Sequence, residues 1–249
     1  MTARPGSALG SLVAVLLAVA CTNSFEIPIE TPIRPKLDVT AFQRVLVAGF
    51  IAGGTDDVDG NLETTRLLRS QLRTKSELRV IDSDALPLMD VATEGRDDAA
   101  ATPPAPIKEE KDLEGYEHVF ANVDYWKRIG EEYQQPLIVT GTVMFTSLTS
   151  NGIVQQNREV YDSFGRRSVV PVRTFVERKG FSLDGRFIFI DGRSGIPLHS
   201  ESFGEQILYN ANQSTPALSS YFELMDRLIP AFLSTLSSQK IKGTRILLQ

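Results

Sequence analysis

The chain has 249 residues, 42% hydrophobic and 23% charged, which is ample apolar content for a core and the length of one domain, or of one with a large insertion. Its 31 acidic residues outnumber 26 basic ones, a net charge of −5 that argues against a nucleic-acid surface. A single cysteine excludes an intrachain disulfide and a thiolate metal set.

In chain order, residues 1–10 carry one positive charge, Arg4, and are followed by an apolar run over 11–20. That is the layout of a secretory signal peptide, too short to cross a hydrocarbon core of about 30 Å as a helix. Ala18 and Ala20 precede Cys21, the lone cysteine, in LLAVACTN. The stretch resembles the lipobox of bacterial lipoproteins, which implies cleavage after residue 20 and acylation of Cys21, so that the bilayer itself is the first partner. Two or more acyl chains would anchor the chain stably, since each buried CH₂ contributes about 0.8 kcal/mol. By the same resemblance, Thr22 in place of Asp favours the outer membrane. The processed chain would carry 25 basic and 31 acidic residues, a net charge of −6.

Residues 21–42 contain Pro28, Pro32 and Pro35 and little periodicity, predicting an extended tether ahead of a single α/β domain over 43–249. The apolar, β-branched run Val45 to Ile51 predicts a buried strand ending at Gly53-Gly54. Leu68 and Leu72 then share one face of an amphipathic helix, and 77–82 is a second strand. From 87 to 114 the pattern dissolves into Ala/Pro and Lys/Glu runs, which predict a mobile surface insertion. A short helix around 123–133 leads to a strand from Leu137 to Thr146.

A polar excursion over 147–179 separates that strand from two more, 181–191 and 196–209, joined by the hairpin turn Asp191-Gly-Arg-Ser-Gly195. The excursion carries adjacent charges at Arg158-Glu159 and Arg166-Arg167, too dense for a lipid-facing strand, yet Val154, Tyr161, Phe164, Val170 and Phe175 are more apolar than a bare loop requires. It is read as two strands with mixed faces, and those five residues as candidates for binding a partner protein. Thr215-Pro216 begins the last helix, whose Tyr221, Met225, Leu228, Ile229, Phe232 and Leu236 recur at helical spacing.

Three segments together, Val45 to Asp82, Leu137 to Val143 and Asp184 to Gly195, resemble the anticodon-binding-domain-like periplasmic fold. That group includes the curli secretion lipoproteins, the lipoprotein activators of peptidoglycan synthases and the amino-terminal domain of TolB. The resemblance implies a single mixed β-sheet packed by helices, facing the periplasm. It also implies a non-catalytic adaptor or assembly factor that binds another envelope protein, or alternatively an oligomeric ring-forming subunit of an export channel.

Chemistry-bearing motifs are sparse. His118 and His199 are the only histidines, with no H-x-x-x-H spacing and no nucleophile elbow at Ser200 or Ser202, so neither an enzyme nor a cofactor is expected. Asp57, Asp59 and Gly60 fit part of a calcium-loop pattern, but Thr55 holds its first ligand position and Arg66 its twelfth. Asp57 and Asp59 are therefore at most a weak divalent site, and their expected role is to favour the start of the next helix.

Overall fold

The computed structural model describes residues 24–94, 106–210, 213 and 215–248. They divide into two units. One is a two-stranded ribbon in which β1 (Ser24–Ile33) pairs antiparallel with β7 (Gln239–Leu248). The other spans Pro35–Ser237. Cys21 lies outside the described residues.

The ribbon departs from the expected tether. Pro28 and Pro32 do not prevent pairing, because their spacing of four puts both missing N–H groups on the same edge of β1, where a two-stranded ribbon needs no donor. The region following the ribbon also packs: Leu37 N donates to Thr235 O at 3.0 Å, so the larger unit begins at Pro35 instead of residue 43.

That unit is the expected α/β architecture, one mixed sheet covered by helices. Strand order is β3 (Arg79–Val80), β2 (Arg44–Gly54), β4 (Leu137–Tyr161), β5 (Arg167–Asp191) and β6 (Pro197–Tyr209). The first three are parallel and the last three antiparallel. A bulge between Val47 and Gly49 resets the alternation of β2. Val45, Val47 and Phe50 consequently join one core layer, and Leu46, Ala48 and Ile51 the other. Gly49 has φ +144° and a Cβ there would meet Leu86 O at 2.8 Å, so the bulge requires glycine.

One face is covered by α1 (Gly60–Lys75) and α6 (Ala217–Leu236). Leu68 and Leu72 pack with Tyr221, Leu224, Met225, Leu228, Ile229, Phe232 and Leu236, the apolar stripe expected of the last helix. Helix α6 runs through Pro230, and its N-cap is Pro216 itself. The opposite face is covered by α2 (Leu88–Glu94), α3 (Glu110–Glu114), α4 (Glu117–Ala121) and α5 (Val123–Glu132). Trp126 is buried there and its Nε1 donates to Val119 O at 2.9 Å.

The expectation of a mobile insertion over 87–114 is corrected on both flanks. Leu88, Ala92, Ile107 and Leu113 are buried in the second core layer, and Gly54 N donates to Ile107 O at 2.8 Å. Gly53, expected only to end the first strand, is a close approach: a Cβ there would lie 2.4 Å from Ile107 Cγ2. Residues 95–105, the Ala/Pro part of the insertion, lie outside the described residues.

Candidate functional site

Strands β4 and β5 are 25 residues each, far longer than their neighbours. The last pair between β5 and β6 is Lys179–Tyr209, and β2 leaves β4 at Phe145. Beyond those points, among the described residues, β4 and β5 pair only with each other, to Tyr161–Arg167, as a two-stranded arm whose outer N–H and C=O groups meet no third strand along either edge.

The tip is held by one carboxylate. Asp162 Oδ1 accepts from Phe164 N at 2.9 Å and Arg166 N at 2.8 Å, while Arg166 Nε donates to Oδ2 at 2.7 Å. The Arg166 backbone N–H, then its side chain, hold the Asp162 carboxyl below the usual carboxylate range. Gly165, at φ +74°, supplies the left-handed residue that the turn needs. Phe164 stands 83% exposed at the apex with the Arg166 guanidinium 5.5 Å from its ring centre.

The pairing register sorts the arm's side chains. One face carries Gly152, Val154, Gln156, Arg158 and Val160 opposite Val176, Thr174, Val172, Val170 and Ser168. The other carries Ile153–Phe175, Gln155–Arg173, Asn157–Pro171, Glu159–Val169 and Tyr161–Arg167, with Arg167 paired to Glu159. The first is a β-branched face whose one charge between positions 152 and 176 is Arg158, and the charges expected on both faces are concentrated on the second. Arg166, of the adjacent pair Arg166-Arg167, is in the turn.

The five candidates from sequence are not brought together. Val154 and Val170 lie on the valine face, Tyr161 and Phe175 on the other, and Phe164 at the apex. Sequence reasoning passed over Val160 and Val176, which complete the valine face with Val172. The signal was alternation at 170, 172, 174 and 176, masked by Val169 on the opposite side.

The valine face continues into the sheet through Ser150–Arg178, which adds a second cation at its base, then Leu148–Gly180 and Thr146–Ser182, the last pair with hydroxyls 2.7 Å apart. It ends in a groove of about 650 Å³ between the sheet and the helices α3 and α4. Met144, Leu113 and Phe120 give it apolar walls, and Asp184, Glu110, Glu114 and Glu117 outnumber Lys111 and Arg186, which makes it acidic. Arg186 donates to Glu117 and, from Nε, to Ser200 Oγ at 3.1 Å. Asp184 sits over Gly204, where a Cβ would come within 2.4 Å of Oδ1, and makes no hydrogen bond or ion pair among the described residues. The groove walls withdraw water from its carboxyl and Glu110 adds a like charge, so its pKa is raised.

The remaining candidates have other roles. Asp59 is the N-cap of α1, accepting from Leu62 N at 2.9 Å. Among the described residues no group of three or more His, Cys, Asp or Glu is placed to hold a metal, and no helix is long and apolar enough to cross a membrane. His118 Nδ1 is 2.9 Å from Gly115 O, and His199 Nε2 is 3.4 Å from Glu201.

No known protein family matches the sequence, and no curated protein does. Among solved structures, the chain is similar to lipoprotein GNA1162 from Neisseria meningitidis at 13% identity and a TM-score of 0.34, over 78% of this chain and 99% of that one. It is also similar to the hypothetical protein CT253 from Chlamydia trachomatis at 12% identity and a TM-score of 0.34, over 78% and 96%. Likeness this low carries no argument about function, which rests on the geometry above.

Proposed function

We propose that this chain is a lipid-anchored protein of the cell envelope, held to the outer membrane through Cys21 and facing the periplasm, that works without catalysis as an adaptor or assembly factor and docks protein through its arm. The observation that carries the reading is the sorting of the arm by register: a valine face on a two-stranded ribbon with both edges open. Side chains on such a face bury area against a partner, while free backbone groups at the edges accept a partner's strand. The lipobox resemblance at Cys21 supplies the anchor.

Site-specific photocrosslinking in the cells of origin tests this. A crosslinker at Val172, on the valine face, is expected to give a discrete protein adduct that one at Arg173, its neighbour on the opposite face, does not. Equal adducts at both positions, or none at either, would reject the arm as the docking element. Fractionation tests the anchor separately: Cys21→Ser should leave the membrane fraction after a salt wash, and its retention there would reject the lipobox.

A second reading is favoured by the same alternation. Each arm strand exceeds the roughly 9–11 residues of a barrel strand, and Arg158, near the tip, falls where the cost of a charge is smallest. An export ring would place the valine faces against lipid, and this chain would then raise the conductance of planar bilayers.

A further inference from the structure

The arm and the groove are complementary in charge and continuous in surface. Residues 150–179 carry six basic and three acidic side chains, net +3, within a chain of net −5. Arg158, on the valine face, makes no ion pair among the described residues, and neither does Asp184 in the groove. Both belong to one sheet face, but they do not meet within one molecule. Arg158 pairs with Val170, 14 residues along β5 from Asp184, which is a separation of about 46 Å.

We propose that this face is a homodimer interface: two copies pack arm against arm, antiparallel and valine face to valine face, so that Arg158 of each enters the groove at Asp184 of the other. The two-fold arrangement makes the same patch serve both copies. It gives Arg158 of each copy a carboxylate, lays Val154, Val170, Val172 and Val176 on a partner instead of water, and closes the arrangement at two. The proposal rests on the arm being the docking element and names its occupant. Two strands, each about 5 Å wide, over about 46 Å present roughly 450 Å² per copy before the groove is counted. That is the low end for a specific interface, so the dimer should be reversible, with Kd in the micromolar range.

Sedimentation velocity of the full chain in detergent, up to about 100 µM, is the test. The wild type is expected to pass from monomer to dimer, and Arg158→Asp and Asp184→Arg each to raise Kd about tenfold or more. Mixing the two variants should restore the dimer, because the mixed pair sets each new Asp against an Arg. Both positions are solvent-open, and Asp184→Asn supplies a milder variant should Asp184→Arg unfold. A wild type that is monomeric throughout, a dimer indifferent to both variants, or a species larger than two would each overturn the proposal. If the wild type is monomeric while the Val172 crosslinker still captures a different protein, self-association fails and the docking arm stands.

Discussion

Asp184 and Glu201 are carboxylates on neighbouring strands with opposite circumstances. Asp184 has groove walls around it and no donor among the described residues, and its raised pKa makes its charge a cost to the folded state at pH above that value, relieved as pH falls through it. Asp184→Asn is therefore expected to raise the denaturation midpoint at neutral pH, with the gain shrinking in acid; an unchanged or lowered midpoint at pH 7 would show that the carboxylate is not strained. At Glu201 burial pushes the pKa upward, but hydrogen bonds from Lys36, His199 and Thr235 outweigh it and leave the pKa lowered. The stabilisation is present above the ordinary carboxylate pKa and is lost as pH falls through the lowered one. Glu201→Gln should cost about 1 kcal/mol at pH 7, since Lys36 is half exposed, and nothing below that range, as measured by urea titration at each pH. Neither contrast is legible in the sequence. Lys36 lies 165 residues from Glu201, and what distinguishes Asp184 is a groove built by helices from another part of the chain.

Among the elements, α6 is the most legible, because its core residues repeat at 3.6 and face one sheet. Phe232 is fully buried, with its ring 5.0 Å from that of Phe187 and 5.8 Å from that of Phe189. Phe232→Ala should cost about 3–5 kcal/mol, and an unshifted denaturation midpoint would place the helix outside the core. The segments flanking residues 95–105 were illegible for the opposite reason. Ile107 and Leu113 are single anchors without a period, and burial of one side chain at a time leaves no pattern in a window of residues. Ile107 fills the space that Gly53 leaves open, so Ile107→Ala should cost at least about 2 kcal/mol, and a smaller loss would return this stretch to the surface. The ribbon of β1 and β7 shows the same limit. Its prolines read as a tether because their permitted edge exists only once a partner strand from the far end of the chain arrives.

For the whole molecule, the question is whether the arm is part of the folding unit or carried by it. The sequence shows two apolar-bearing strands but not their sorting, since a one-residue change of register would exchange the faces and the register is fixed by the Asp162 turn and the sheet below. The first core layer includes Phe145 and Leu183 and, packed against it, Phe181, all before the arm begins. Beyond the last β6 pair, every arm side chain between 151 and 178 is exposed or half-buried. Replacing residues 151–178 with a two-residue turn should therefore cost less than about 1 kcal/mol, because no core contact is lost and loop-closure entropy changes only weakly with length. Chemical denaturation of the shortened chain measures this. A loss above about 2 kcal/mol would mean that the arm is needed to hold the sheet, and a lost dimer in the shortened chain could then no longer be assigned to docking. An unshifted midpoint, together with loss of the dimer, would separate the two roles: the sheet and helices fold by themselves, and the arm reaches away from them to bind.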